Sequence, residues 1–206
     1  MYYLILVLTF LIPLAIIAGI IYLYKKLSRR TFILLAVTVT GVPYLAYKLY
    51  ERQFMLEAVP DALGVTSIAY QNEQSWGLGP GGNESGIHLY PLPAETNQFI
   101  LTRGPEFFTN MPANQNQQSR GRRGSYDNWK MTPIAADESW EMNKVSGRME
   151  IEDYICRYGF CLSIKRWVLS EANAMINRPG NFYAYGRTGL IVVSPERHLV
   201  MYVYNG

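Results

Sequence analysis

No charged side chain interrupts the chain from Tyr2 to Tyr24, and no acidic one precedes Glu51. The first absence excludes a solvated N-terminal segment, because about 20 uncharged, mostly apolar residues are enough to cross bilayer hydrocarbon as a helix. Tyr2, Tyr3, Tyr22 and Tyr24 bracket this run, where amphipathic rings favour the headgroup layer. A second uncharged run extends from Thr31 to Tyr47 and contains Gly41 and Pro43. These two residues predict a kink, which a membrane helix tolerates when a neighbour covers the freed carbonyl. Neither run holds an ionisable residue, which disfavours a channel or transporter.

The second absence gives a direction. Lys25, Lys26, Arg29 and Arg30 crowd the connection between the runs, and positive residues in short loops stay cytoplasmic. A cleaved signal peptide places its basic residues before the apolar run, whereas here they follow it. The expected organisation is an uncleaved helical hairpin anchor over residues 1–52, with transmembrane helices at about 2–24 and 31–49 and a cytoplasmic loop at 25–30. The N-terminus and residues 53–206 then face the periplasm at a bacterial inner membrane, in a multi-pass arrangement. Five of the nineteen basic residues precede Glu51, so the remainder carries fourteen basic and sixteen acidic side chains. That balance argues against a basic, phosphate-binding face and excludes nucleic acid as the main partner.

Cysteine and histidine are scarce, with two of each. Cys156 and Cys161 are separated by Arg-Tyr-Gly-Phe, and outside the cytoplasm such a pair implies a disulfide. Closing so small a ring contributes about 2 kcal/mol by loop entropy. The spacing is not Cys-x-x-Cys, and no histidine lies nearby, so neither a redox motif nor a zinc site is implied. No metal or other cofactor is expected. His88 and His198 are the only side chains suited to general-base work near neutral pH. Glu84, Ser85 and His88 lie close in sequence, as a hydrolase requires, yet Ser85 lacks the Gly-x-Ser-x-Gly elbow. The acid pairs Asp137-Glu138 and Glu152-Asp153 are adjacent in sequence and poorly placed to flank a glycosidic bond.

Glycine is concentrated in "SWGLGPGGNESG", where Gly77-x-Gly79-x-x-Gly82 has the spacing of a dinucleotide fingerprint. A working fingerprint opens a helix. Here Asn83, Glu84, Ser85 and Gly86 make a poor helix start, and Pro80 fixes φ inside the turn. The stretch predicts an exposed, tight recognition loop instead, with Trp76, Gly79, Asn83, Glu84 and His88 as candidate partner-binding residues. A second candidate is "SRGRRGS", where Arg120, Arg122 and Arg123 follow a polar tract and suit a mobile loop meeting anionic headgroups or an acidic partner surface.

Beyond Arg52 the pattern is that of a single α+β domain. Residues 64–70 and 86–93 read as extended, and a helix begins near Pro93 and breaks at Gly104-Pro105. "GRMEIEDYICRYG" reads as a helix ended by Gly159, "FCLSIKRWV" as a strand, and "EANAMIN" as a short helix capped by Ser170. "NFYAYG", "GLIVVS" and "LVMYVYNG" are three strands of a C-terminal antiparallel sheet, the last two joined through "PERH". The functional expectation is a non-enzymatic, membrane-anchored periplasmic protein that binds another protein. An immunity protein neutralising a bacterial toxin and a subunit of an envelope complex both fit. The alternative is an envelope hydrolase or glycan-modifying enzyme using Glu84 and His88.

Overall fold

A computed structural model describes residues 2–76, 83–137, 140–159, 161–187 and 189–205. The chain divides into two compact units, Met1–Arg52 and Gln53–Gly206. The helices are α1 (Tyr2–Lys26), α2 (Arg29–Leu56), α3 (Ala94–Arg103), α4 (Pro105–Thr109), α5 (Gln117–Arg120), α6 (Ile151–Ile155) and α7 (Arg166–Asn177). The strands are β1 (Tyr70–Trp76), β2 (Asn83–Pro91), β3 (Lys130–Met131), β4 (Phe182–Tyr185), β5 (Gly189–Ser194) and β6 (Leu199–Asn205).

The first unit is helical. Among the described residues, α2 is long and apolar enough to cross a membrane, and none of its most hydrophobic window is buried. Its helix continues through Gly41 and Pro43. Leu34, Val37, Val39, Val42 and Leu45 are each more than 60% exposed or close to it, an apolar surface that water does not favour.

The second unit is built on one antiparallel sheet in the order β1-β2-β6-β5-β4-β3. Because successive strand residues face opposite sides, each face collects its own core. Ile87, Leu89, Leu190, Val192, Met201 and Val203 pack with Ile151, Ile155, Val168, Ala172, Met175 and Ile176 of α6 and α7. On the other face, Tyr90, Phe182, Ile191, Val193 and Val200 meet Val59, Leu63, Leu92, Ile100 and Phe108. β5 is covered on both faces and all six of its residues are buried, which explains its unbroken apolar reading.

Three sequence expectations are corrected. Residues 64–69 form no strand; the edge strand begins at Tyr70 and runs through the polar "YQNEQSW". Phe160 lies outside the described residues, and over the described part of "FCLSIKRWV", residues 161–168, the expected strand is not found, since α7 starts at Arg166 and carries Ser170 in its interior. Its buried Val168, Ala172, Met175 and Ile176 recur at helical spacing, and that stripe outweighs the β-branched content of the preceding residues. The helix expected around Ile151 is shorter than its pattern, giving way to a 3-10 turn at Cys156–Tyr158 that Gly159 ends at φ 83°.

Candidate functional site

His88 lies in the middle of β2 and is 3% exposed, on the sheet face that also carries Tyr90. Register places Glu73 of β1 opposite Gly86, and Gly86 opposite Tyr204 of β6. The missing side chain at Gly86 is occupied by the Tyr204 ring, which a Cβ there would meet at less than 3.0 Å. Tyr202 stacks on Tyr204 at 5.3 Å, and the His88 ring stands edge-on to Tyr204 at 5.8 Å. The result is an imidazole enclosed by three tyrosines, Tyr90, Tyr202 and Tyr204.

Hydrogen bonds thread this cluster. Tyr90 Oη donates to the Met55 carbonyl at 2.9 Å and lies 3.0 Å from His88 Nδ1. His88 Nε2 sits 3.3 Å from Glu73 Oε2, at ion-pair distance but without hydrogen-bond alignment. Glu73 Oε2 also accepts the Tyr204 hydroxyl at 2.9 Å. Burial raises the Tyr90 phenol well above the ordinary tyrosine range, with Tyr202 and the Glu73 charge adding to the shift. Tyr204 is raised for the same first cause, then by the charge and hydrogen bond of Glu73. Both phenols therefore remain protonated throughout the neutral range.

The sequence candidates are distributed unevenly around this cluster. Ser85 points to the opposite face of the sheet from His88 and is fully buried, so the two do not form a nucleophile–base pair. Glu84 is exposed and shares the face of His88, but the carboxylate brought to the imidazole belongs to Glu73. Trp76 ends β1 and Asn83 begins β2, so the chain enters a strand where a dinucleotide fingerprint would open a helix. Gly77, Gly79 and Gly82 lie outside the described residues. His198 adopts φ 52° in the β5–β6 turn, with Nε2 3.4 Å from Asn97 Nδ2. Glu138 lies outside the described residues, while Asp137 accepts the Trp140 amide and Asp153 accepts Asn143 Nδ2.

The arginines divide. Arg120 pairs with Asp61, and Arg123 pairs with Glu57 while lying 3.9 Å from the Phe54 ring centroid. Asn114 bonds the Asp61 amide and the Gly124 carbonyl, so the arginine segment is tied to residues 54–61. Arg122 is exposed. Cys156 and Cys161 form a disulfide across a Cα separation of 4.4 Å. A surface hollow of about 280 Å³, bordered by Trp140, Met142, Asp153 and Arg157, lies on the α6 side of the sheet, away from His88. Sequence reasoning missed Glu73, Tyr90 and Tyr204. Their only local signal is the alternation Glu84-Gly86-His88-Tyr90, together with the Tyr-x-Tyr of β6.

Comparison with protein-family models, with curated proteins and with solved structures returned no match.

Proposed function

We propose that the chain is a membrane-anchored binding protein. In this reading a two-helix hairpin holds an extracytoplasmic domain at a bacterial inner membrane, and that domain engages another protein without altering it chemically. The observation that carries the binding role is the position of β1. It is the outermost strand, hydrogen-bonded in the sheet to β2 alone, and Gln71, Glu73, Gln74 and Ser75 are exposed along it. Main-chain groups at a sheet edge are ready partners for an incoming strand, and flanking side chains supply selectivity. The enclosure of His88 and the opposed direction of Ser85 favour binding over hydrolysis.

Anchoring is supported by the exposed apolar surface of α2 and by the basic cluster Lys25, Lys26, Arg29 and Arg30 between the helices. The disulfide suits an oxidising compartment. An incoming toxin and a subunit of an envelope complex are the two partner classes this arrangement fits. The test is in-cell crosslinking and affinity capture with full-length protein, repeated with residues 1–52 replaced by an exported, cleavable signal. One stoichiometric protein captured in both samples, and reduced by Trp76→Ala or Arg122→Ala, is the expected result. Capture of no protein by either version would overturn the reading.

A further inference from the structure

The arginine segment is pinned to the stretch of chain that leaves α2. Asp61 is the hub: its amide donates to Asn114 Oδ1 at 2.8 Å, and its carboxylate accepts the Gln115 amide at 2.7 Å and pairs with Arg120 at 2.5 Å. Arg123 pairs with Glu57 at 3.1 Å, and Tyr126 Oη donates to the Ala58 carbonyl at 2.8 Å. Gly124 closes the contact at φ 69°. A Cβ there would meet the Glu57 carbonyl oxygen at 2.7 Å, so glycine is what lets the two stretches approach. The segment is therefore held in place by residues 57–61, with Arg122 on its exposed side.

The end of α2 sets the height of that surface. The helix continues from Arg29 to Leu56 and is taken here as the membrane span of the anchored reading above, on which this inference rests. About 20 helical residues cross about 30 Å of hydrocarbon, so a span entered at Thr31 leaves it near Tyr50. Lys48, close to that exit, reaches Glu51 one turn further out. Phe54 lies about 6 Å of helix rise beyond Tyr50, a distance that matches the headgroup layer. Tyr47, Tyr50 and Phe54 are exposed at i, i+3 and i+7, a stripe of interfacial aromatic rings. The Arg123 guanidinium sits 3.9 Å from the Phe54 ring centroid, so the stripe ends on an arginine.

Charge on this surface is answered unevenly. Glu57 takes Arg123 and Asp61 takes Arg120, whereas Arg122 has no ion-pair partner among the described residues. The Arg120 side chain is only 8% exposed, and its Nη1 is buried with no hydrogen-bond partner. A buried guanidinium nitrogen without an acceptor is costly, and a phosphate oxygen is the acceptor that suits it. We propose that Arg120, Arg122 and Arg123 bind the phosphate of an anionic phospholipid in the leaflet from which α2 emerges. Arg122 brings the unanswered charge, and Arg120 brings a donor already oriented by Asp61. Arg123, lodged on Phe54, keeps both at headgroup height. Lipid is favoured over an acidic protein surface because the ties to residues 57–61 hold these arginines where phosphates are densest.

The test follows the arginine Nε–H NMR signals of full-length protein in zwitterionic micelles, titrated with short-chain phosphatidylglycerol. The Arg122 and Arg120 signals, assigned with Arg122→Gln and Arg120→Lys, are expected to move together and saturate. Arg122→Gln, a change at an exposed side chain, should weaken the apparent Kd about fivefold. Arg122→Lys keeps the charge and should lose less than Arg122→Gln. No saturable shift, or an unchanged Kd in Arg122→Gln, would overturn the proposal. So would an equal response to phosphatidylcholine, to inorganic phosphate or to polyglutamate, the last pointing to an acidic protein surface instead. The same protein reconstituted in phosphatidylcholine vesicles should float with them in a density gradient. Protein that fails to float would overturn the anchored reading and this one together, whereas floating protein without a phosphatidylglycerol response would overturn this one alone.

Discussion

Tyr204 fills the space that Gly86 leaves, and its own Cβ stands against Gly189 on the other side. A Cβ at Gly189 would lie within 3.0 Å of the Val203 backbone oxygen and of Tyr204, atoms that cannot swing aside as a side-chain end can. Gly189→Ala is expected to cost about 1–3 kcal/mol, seen as a lower urea midpoint with an unchanged slope. Tyr185 makes a different prediction. Burial first, and the Asp137 charge second, push its phenol up to about 12. A raised value means that the folded protein keeps a proton the unfolded chain releases near pH 10. This contribution to stability is complete below about pH 10 and is lost as pH climbs towards the folded value. An absorbance titration at alkaline pH should lose one tyrosine's amplitude near pH 12 in Tyr185→Phe, while the later components of Tyr90 and Tyr204 remain; an unchanged amplitude near pH 12 would contradict the assignment.

At the scale of elements, legibility follows burial. β5 and β6 could be read because a strand packed on one or both faces must be apolar there, and "GLIVVS" and "LVMYVYN" are. β1 could not, since "YQNEQSW" lies at the sheet edge and no core demands alternation from it. The cluster was hidden for a related reason. Glu73 and His88 meet only through the β1–β2 register, and no spacing along the chain records that register. α7 was half legible: its apolar stripe is regular, but the start at Arg166 has no side-chain cap to announce it. Ile176 is fully buried in that stripe beneath the sheet. Ile176→Ala is expected to cost about 2–5 kcal/mol by thermal or denaturant unfolding. A loss below about 0.5 kcal/mol would mean that α7 does not cover the sheet as described.

For the whole molecule, the composition split matters more than any motif. The apolar N-terminal segment, with no acidic residue before Glu51, and the near-neutral remainder differ sharply in composition, and the two compact units divide between Arg52 and Gln53. Orientation is checked with single cysteines placed at Ser28, between the helices, and at Val145, which is 98% exposed. With the Cys156–Cys161 disulfide protecting the native thiols, an impermeant maleimide should label position 145 in intact spheroplasts and position 28 only after lysis. The reverse pattern would place the domain in the cytoplasm.

The central claim is that edge strand β1 receives a protein partner. The most direct measurement places a photo-crosslinking amino acid at Ser75 in β1 and, as a control, at Lys130 in β3 at the opposite edge of the sheet. Irradiation of living cells should give one discrete protein adduct from position 75 and none of that size from position 130. Equal adducts from both positions, or none from Ser75, would contradict the account.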